Sequence, residues 1–192
     1  MAGVDEAGRG PLAGPLVVAA VLLPADFDVS GITDSKLLSP SARAHFASII
    51  VSNCQHSIVV VEPSEIDRVN ILAATLTAMS LALRGLPAVP KSALVDGNQL
   101  PPDPPCPVYC LVKGDRLNAT IAAASILAKH RRDQIMQDMD KKFPGYGFAT
   151  HYGYHCPQHV QALKTLGPCS IHRRSFEPVK SMVNQPCLEF AD

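Results

Sequence analysis

The chain has 192 residues and a mass of 20.5 kDa, which predicts one ordinary domain and argues against two full ones. Hydrophobic residues make up 47% of the chain and charged residues 18%, so a sizeable core is expected and wholesale disorder is excluded. Basic and acidic residues number 17 each, and this balance excludes a protein held on nucleic acid or a membrane by bulk positive charge. Any site for a polyanion must be local.

The sequence offers no obvious membrane segment or metal-binding cysteine motif. The apolar run 16–23 is far shorter than the roughly 20 residues that cross a bilayer, and no basic-then-apolar leader opens the chain. The six cysteines form no CxxC pair, which predicts reduced and mostly buried thiols. We therefore expect a cytoplasmic protein with no membrane partner.

The first half of the chain predicts three strands and two helices. A strand at residues 3–5 runs into a glycine-rich turn, and a buried strand follows at 16–23. Ser39 and Pro40 supply a cap and a first-turn proline for a helix to about Val51, with a strand at 56–62. A stripe of apolar residues with a 3.6-residue period predicts one long helix from residue 63 to 85.

The second half continues this alternation. Residues 92–96 and 108–113 predict strands, and residues 118 to about 142 and 157–166 predict helices. Strands that alternate with helices indicate an α/β fold with helices on the faces of a sheet.

Charge is divided unevenly along the chain. Residues 1–110 contain 6 basic and 10 acidic residues, whereas residues 111–192 contain 11 and 7. Five of the seven histidines also lie in the second part: His130, His151, His155, His159 and His172. If the two parts pack on one face, a neutral protein gains a basic groove beside an acidic site.

Carboxylates stand where three predicted strands end. Asp5 and Glu6 follow the first strand, Asp96 follows the strand at 92–96, and Asp115 follows the strand at 108–113. Charges inside a sheet are costly unless solvent or a cation compensates them. If these strand ends are neighbours, the four side chains form an all-oxygen cluster that suits Mg²⁺ or Mn²⁺.

Each aspartate taken alone has a simpler explanation, because Asp-Gly and Gly-Asp are common turn dipeptides. The recurrence at three strand ends favours the metal site. Two divalent ions about 3.5–4 Å apart can activate a water and stabilise a departing 3′ oxygen in phosphodiester hydrolysis. The pattern therefore predicts phosphodiester chemistry.

Eight motifs, in one order, extend from about Ala2 to Val179. They occupy residues 3–15 (GVDEAGRGPLAGP), 34–38 (DSKLL), 65–71 (EIDRVNI), 95–97 (VDG), 113–115 (KGD), 122–129 (AAASILAK), 146–148 (YGF) and 172–176 (HRRSF). With these motifs the chain resembles the ribonuclease HII family, the type 2 ribonucleases H.

The resemblance implies a ribonuclease H-like fold, with a mixed central β-sheet flanked by helices and a C-terminal helical extension. It implies a single catalytic domain over residues 1–192, with the helical part from about residue 143. The implied activity is that of an endoribonuclease (EC 3.1.26.4) that hydrolyses the RNA strand of RNA/DNA hybrids. It also implies incision on the 5′ side of single ribonucleotides embedded in duplex DNA.

The family's catalytic and metal-binding carboxylates match Asp5, Glu6, Asp96 and Asp115. The implied cofactors are two divalent ions, Mn²⁺ or Mg²⁺, and the implied product ends are a 5′-phosphate and a 3′-hydroxyl. The expected partners are RNA/DNA hybrid and ribonucleotide-containing duplex DNA, bound by a monomer. No clamp-binding motif is evident in the tail after Val179.

The resemblance also implies substrate contacts. The turn Gly8-Arg9-Gly10 matches the turn that recognises the ribonucleotide, and Tyr154 matches the tyrosine that stacks on the next sugar, where the strand becomes DNA. His155 and Cys156 depart from the family, which usually has a small or proline residue and then threonine there. Phosphate contacts are predicted for Lys36, Ser125, Lys129, Arg173, Arg174 and Ser175, with Arg173 and Arg174 as a guanidinium clamp.

Several of these residues have alternative structural roles. Tyr154 can be a packing residue, and Tyr146 or Tyr152 can be mistaken for the sugar-stacking ring. Lys129, Arg131 and Arg132 can form an ordinary solvated helix face. Structural roles are predicted for His172 (packing or surface), Asn70 (fixing a loop), and Asp34, Asp67 and Asp133 (capping or pairing with Arg and Lys).

Three other functions compete with the ribonuclease interpretation. A duplex-binding module without activity would lack metal binding. A metal-dependent DNA nuclease would also use clustered acids and would cut all-DNA duplexes. The related type 3 ribonuclease H carries an added N-terminal domain, whereas the first predicted strand here begins at residue 3.

Overall fold

The central feature is a mixed five-stranded sheet in a computed structural model, which describes residues 1–184. Its strands are β1 (Ala2–Ala7), β2 (Leu16–Leu22), β3 (Gln55–Val61), β4 (Ala93–Asp96) and β5 (Val108–Leu111), in the spatial order β3-β2-β1-β4-β5. β2 pairs antiparallel with β1 and β3, whereas β4 pairs parallel with β1 and β5. The predicted α/β fold with a mixed central sheet is confirmed.

Helices cover both faces of this sheet. Those found in the described residues are α1 (Pro40–Asn53), α2 (Pro63–Val69), α3 (Ile71–Arg84), α4 (Gly114–Leu117), α5 (Ala119–Lys142), α6 (Phe148–His151), α7 (Pro157–Leu166) and α8 (Val179–Val183). Val18 of β2 faces a core formed with α2 and α3, and its neighbour Val17 faces a core formed with α1 and α5. The elements after residue 143 are α6, α7 and α8, which pack around Phe148, Leu163 and Val179.

The close approach of α5 to β1 depends on Gly3. A β-carbon at Gly3 would overlap the backbone of Thr120 and Ile121 at the start of α5. Asn118 caps this helix, because its Oδ1 accepts the amide protons of Thr120 and Ile121 at 2.9 and 3.2 Å. The glycine and the cap together set α5 directly against the strand that carries Asp5.

The prediction of one helix from residue 63 to 85 is wrong. The backbone of Asn70 has a φ of 72°, and α2 and α3 meet there at an angle of 114°. The Oδ1 atom of Asn70 accepts the amide protons of Leu72 and Ala73 at 3.0 Å each, which caps α3. The apolar period continues across the break because both helices face the sheet, and the predicted role of Asn70 in fixing a loop is confirmed.

No single helix within residues 1–184 is long and apolar enough to cross a membrane, although α2 and α3 taken together as a bent pair meet the length and composition criteria. The side chains of α3 that give it this composition, such as Ala78, Met79 and Leu83, lie in the core against the sheet. Cys54, Cys106, Cys110, Cys156 and Cys169 are free thiols, as predicted. The prediction that the thiols are mostly buried is wrong for these five, because Cys54 is buried and the other four are half-buried. Cys187 and the rest of the tail from residue 185 lie outside the described residues.

The cap at Asn70 gives a direct test of this break. We expect Asn70→Ala to lower the free energy of unfolding by about 1–2 kcal/mol. The change removes two accepted hydrogen bonds, and the β-carbon of alanine disfavours the positive φ at this position. Asn70→Gly is the matched control, since glycine tolerates the backbone angle and should cost less. Urea unfolding of the three proteins measures the difference, and equal stabilities for Ala and Gly would contradict the account.

Candidate active site

Two of the predicted carboxylates lie side by side because their strands are parallel neighbours. Val4 of β1 is in register with Val95 of β4, so Asp5 and Asp96 follow at the same end of the sheet. Val4 and Val95 both face the core under α3, and the alternation of side chains places Asp5 and Asp96 on the other face. This is the face that α5 covers.

Asp115 reaches the same region from β5. The chain leaves β5 and enters α4 through Gly114, whose amide donates a hydrogen bond to Oδ1 of Asp96 at 2.7 Å. Lys113 before it has a φ of 58°, which turns the chain sharply into the helix. Burial raises the pKa of Asp115, and the nearby charges of Asp34 and Asp96 raise it further.

Asp5 is the most deeply buried acid of the group, with 5% of its surface exposed. Its Oδ1 accepts the amide proton of Glu6 at 2.7 Å. Burial raises the pKa of Asp5 well above its ordinary value, and the charges of Glu6 and Asp96 raise it further, against a hydrogen bond with Ser125 that lowers it. The site therefore holds a buried carboxylate under repulsion from its neighbours.

Two exposed cations face the other acids. Arg9 Nη1 lies 3.5 Å from Oε1 of Glu6, and Lys36 Nζ lies 3.8 Å from Oδ2 of Asp115. Burial raises the pKa of both Glu6 and Asp115, whereas Arg9 and Lys36 oppose these rises. Both cations are long and largely solvated, so they can turn towards another anion at little cost.

The carboxylates suit a hard divalent cation by their chemistry. Within residues 1–184, no group of three acidic, imidazole or thiol side chains is arranged so that it could hold a metal ion. Oxygens of Asp5 and Asp96 accept backbone amide protons instead, at 2.7 Å each. An all-oxygen set of like charges is nevertheless the donor chemistry that Mg²⁺ and Mn²⁺ prefer, and a cation would remove the repulsion among them.

A cleft of about 320 Å³ opens beside these acids. Its lining residues are Glu6, Ala7, Gly8, Arg9, Gly10, Ser35, Lys36, Ser125, Lys129 and Tyr154. Glu6 and seven of the ten predicted substrate contacts thus line one cavity. The sequence reasoning missed Ser35, a buried residue whose Oγ lies 2.9 Å from Oγ of Ser125; its position inside the motif at 34–38 was the available signal.

The predicted phosphate contact at Arg173 is wrong in this structure. Arg173 is completely buried, and its guanidinium donates to the carbonyl oxygens of Gly8, Arg9 and Gly14 at 2.5 to 3.1 Å. Burial lowers its pKa to about 9, with a further contribution from the charge of Arg132. Arg173 supports the Gly8-Arg9-Gly10 turn from below.

Arg132 supports the same loop from α5. It is completely buried, so it does not belong to a solvated helix face. Its guanidinium donates to the carbonyl oxygens of Ala13, Pro15 and Tyr152 at 2.9 to 3.1 Å. Gly8 has a φ of 98°, and a β-carbon there would overlap the Arg132 side chain, so the turn can follow this path only with glycine.

Arg174 and Ser175 do not line the cleft. Both backbone amides donate to the carboxylate of Asp67 in α2, at 2.8 and 2.9 Å, and the Ser175 hydroxyl donates to it as well. The exposed side chain of Arg174 is left at the surface. Asp67 thus has the predicted structural role.

The other two structural aspartates also behave as predicted. Asp34 is buried, pairs with Arg116 at 3.2 Å and accepts the amide proton of Lys36. Asp133 pairs with Arg43 at 3.0 Å and with Lys129 at 2.6 Å. Lys129 therefore lines the cleft while its ammonium group forms an ion pair with Asp133, one turn further along α5.

The three candidate tyrosines have different environments. Tyr146 is buried and stacks on Phe148 with ring centroids 5.1 Å apart, and Tyr152 lies under the ammonium group of Lys129. Tyr154 alone among the three lines the cleft, with 43% of its surface exposed. Its ring lies 5.7 Å from the buried Arg132 guanidinium and approaches Gly10.

The repulsion among the acids predicts the effect of removing one of them. The raised pKa of Asp5 means that the folded state keeps this proton to a higher pH than the unfolded chain, so stability falls as the pH rises from 3.8 through the raised value. With a chelator present at pH 7 to 8, Asp5→Asn should therefore raise Tm by roughly 2–4 °C. This is the shift that a gain of about 1 kcal/mol in the free energy of unfolding gives in a chain of this size. The gain should shrink near pH 4.

Asp26→Asn, at an exposed acid, is the control and should leave Tm unchanged. Thermal unfolding followed by circular dichroism at both pH values measures the effect. A lower Tm for Asp5→Asn at pH 7 to 8 would contradict the repulsion.

Comparison with known proteins agrees with this architecture. The family model described as ribonuclease HII matches residues 2–179. A ribonuclease HII from Maricaulis maris is 51% identical over 181 residues, which cover 94% of this chain and 83% of that protein.

Solved structures show the same fold. Ribonuclease H2 from Pyrococcus horikoshii superposes with a TM-score of 0.79 at 28% identity, over 94% of this chain and 95% of that one. Ribonuclease HII from Archaeoglobus fulgidus, solved as a complex with PCNA, gives 0.76 at 28% identity, over 97% and 98% of the two chains. Bst-RNase HIII, solved in complex with Mn²⁺, gives 0.72 at 20% identity, over 95% and 68%, a likeness of fold alone.

The family match covers nearly the whole chain, and its residues include the strand-end acids and the cleft. The chain therefore belongs to the ribonuclease HII family of endoribonucleases, enzyme class EC 3.1.26.4.

Proposed function

We propose that this chain hydrolyses the RNA strand of RNA/DNA hybrids and incises duplex DNA on the 5′ side of single embedded ribonucleotides. The observation that carries the proposal is the placement of Asp5 and Asp96 at the same end of two parallel strands, beside a cleft lined by Gly8, Gly10 and Tyr154. Acids that can gather divalent cations thus adjoin a surface that can admit a nucleic-acid strand. The family relationship supports the same activity.

Four carboxylates would hold the metal ions. We assign the shared position between two ions to Asp5, because it is the most buried of the four and interacts with the charges of both Glu6 and Asp96, and the outer positions to Glu6, Asp96 and Asp115. Bound Mg²⁺ or Mn²⁺ would supply an activated water and neutralise the charge that builds on the leaving 3′ oxygen. Hydrolysis of that bond leaves a 3′-hydroxyl on one fragment and a 5′-phosphate on the other.

The cations at the rim would bind the phosphate backbone. Lys36 and Arg9 are exposed and now pair loosely with acids, at 3.8 and 3.5 Å. A metal ion that takes over the carboxylates would free both side chains for phosphate. Lys129 and Ser125 line the inner wall, where they would fix the position of the strand.

The Gly8-Arg9-Gly10 turn would read the ribose. Its glycines leave the backbone open on the cleft side, so a 2′-hydroxyl can approach backbone amides and carbonyls next to Asp5 and Glu6. The buried guanidinium of Arg173 holds the carbonyls of Gly8 and Arg9 from the opposite side. The turn is therefore fixed before a substrate binds, which is the condition for discriminating one hydroxyl.

Tyr154 would select the junction at which RNA becomes DNA. Its exposed ring lies beside Gly10 at the edge of the cleft, so a sugar stacked on it would be the neighbour of the ribose at the turn. An added 2′-hydroxyl on that stacked sugar would collide with the ring. This arrangement favours a lone ribonucleotide followed by DNA.

The remaining assignments belong to the same proposal. One catalytic domain over residues 1–192, a monomeric state and a cytoplasmic location are consistent with an enzyme that acts on chromosomal duplexes. The part of the tail from residue 185, where the sequence shows no clamp-binding motif, lies outside the described residues.

Product mapping tests the reaction. On a duplex with one ribonucleotide, Mg²⁺ or Mn²⁺ should give a single cut on the 5′ side of that ribonucleotide, with 3′-hydroxyl and 5′-phosphate ends, and a chelator should abolish it. Asp5→Asn should lower the rate by about a hundredfold or more, because it removes a charged ligand.

An all-DNA duplex of the same sequence is the control and should stay intact. Equal cleavage of it would favour a DNA nuclease, and binding without cleavage would favour a duplex-binding module. Full metal-dependent cleavage by Asp5→Asn would remove the assignment of that carboxylate.

The sensor role of Tyr154 has its own test. Tyr154→Ala should lower the rate on a single ribonucleotide about tenfold relative to the rate on a long RNA/DNA hybrid, because it removes a stacking surface. Tyr154→Phe keeps the ring and should preserve the ratio. An unchanged ratio in the alanine variant would rule out the sensor.

A further inference from the structure

Two buried histidines lie behind the cleft. His159 of α7 and His172, in the segment before α8, have 0% and 2% of their surfaces exposed, and their Nε2 atoms lie 3.1 Å apart. They join two elements that are separate along the chain. Neither lines the cleft, and neither contacts one of the four acids.

The hydrogen bonds around this pair fix which nitrogens carry protons. The backbone amide of Cys169 donates to Nδ1 of His172 at 2.9 Å, so that nitrogen is an acceptor and the proton of His172 is on Nε2. His172 Nε2 then donates to Nε2 of His159, which leaves the proton of His159 on Nδ1. His159 Nδ1 donates to the carbonyl oxygen of Tyr154 at 2.9 Å. These three hydrogen bonds in series satisfy the ring nitrogens of both histidines as neutral imidazoles.

The surroundings favour the neutral rings. Burial lowers the pKa of His172 to about 4, and burial also lowers the pKa of His159. The ring of His151 in α6 stacks on His159 at 4.5 Å, and the ring of Phe148 meets His159 edge-on. The other titratable groups near the pair in the described residues are Tyr146, His155 and Cys169, and none of them is a carboxylate that could hold an imidazolium.

This series of hydrogen bonds ends at the backbone of Tyr154, whose ring lines the cleft. Tyr154 donates its amide proton to the carbonyl of His151 at 2.9 Å, and its own carbonyl accepts from His159. The carbonyl of Gly153 accepts the amide proton of Leu12, and that of Tyr152 accepts from Arg132. Of these anchors on residues 152–154, the histidine bond is the one that acts directly on the carbonyl of Tyr154.

We propose that His159, with its tautomer fixed by His172, is a positioning residue for Tyr154, and that its hydrogen bond to the residue 154 carbonyl sets the preference for a ribonucleotide followed by DNA. The second clause rests on the function proposed above for Tyr154; the first depends only on the geometry of the pair. The two imidazoles act through the backbone of Tyr154 and touch no substrate. Loss of the last bond would release the residue 154 carbonyl and let the ring leave its place beside Gly10.

Two amide substitutions separate the bond to Tyr154 from simple packing. The amide of asparagine can replace the Nδ1 atom of a histidine, whereas the longer glutamine can replace Nε2. His159→Asn therefore keeps the donor to the Tyr154 carbonyl and loses the contact with His172, and His159→Gln does the reverse. Both variants bury one amide at the same position, and His155→Gln at the exposed neighbour is the surface control.

Selectivity is the first readout. The ratio of the rate on a single ribonucleotide to the rate on a long RNA/DNA hybrid should fall about tenfold in His159→Gln, because the ring is misplaced. It should stay within about threefold of the parent in His159→Asn, and it should not change in His155→Gln. Equal ratios in the asparagine and glutamine variants would overturn the proposal, whatever their melting temperatures.

Order of the ring is the second readout and needs no catalysis. The chain contains no tryptophan, so Tyr154→Trp creates a single fluorescent reporter at the cleft. In that background, steady-state anisotropy should drop with His159→Gln and persist with His159→Asn. An anisotropy that does not respond to either change would refute the positioning role.

The two readouts distinguish this inference from the function on which it partly rests. A fall in anisotropy with no change in selectivity supports the positioning of residue 154 and overturns its role as junction sensor. A protein that cleaves no ribonucleotide-containing duplex at all refutes the proposed function, while the anisotropy still decides the positioning role.

Discussion

Two buried guanidinium groups hold together the segments that form the cleft. Arg132 comes from α5 and Arg173 from the segment before α8, and in the described residues all their hydrogen bonds go to carbonyl oxygens. A buried charge without an ion pair is costly, and it persists only where its surroundings satisfy every donor. The loop between β1 and β2 does so with five carbonyls, and Tyr152 supplies a sixth. The path of the Gly8-Arg9-Gly10 turn is therefore set by cations beneath it, which also leave positive charge next to a cluster of acids.

The strand-end acids could be predicted from the sequence because their positions follow from local rules. A carboxylate that follows an apolar strand, repeated in parallel neighbours, must reappear at one edge of a sheet, and the pairing of β1 with β4 does bring Asp5 beside Asp96. Arg173 could not be placed in this way, because its acceptors lie 159 to 165 residues away in the chain. A basic pair next to a serine predicts a phosphate-binding site at the surface, and only the fold shows that one of the two guanidinium groups is buried. The break at Asn70 was hidden for a related reason: two helices that face the same sheet keep one apolar period across a sharp bend.

The acid cluster and the guanidinium pair show opposite uses of buried charge. Arg132 and Arg173 are fully satisfied by fixed acceptors, so they define a rigid loop. Asp5 keeps a raised pKa because of its burial and, after that, because of the like charges of Glu6 and Asp96, which leaves it ready for a ligand that the protein itself does not supply. Stability is thus reduced at the position where a cation would bind, in keeping with the common conflict between stability and function at active sites.

His155 and Cys156, where the sequence differs from the pattern that the family resemblance implies, lie at the start of α7. His155 is exposed, and Sγ of Cys156 accepts the amide proton of His159 at 3.5 Å as the cap of α7, where a threonine would offer an oxygen. Sulfur is the weaker acceptor, so the substitution weakens the first turn of the helix that carries His159. The ring of Tyr154 keeps its place because the imidazole bond to its carbonyl comes from inside that turn and does not use the cap. The cysteine after the tyrosine therefore acts on the support of the site, through the cap of the helix that carries His159.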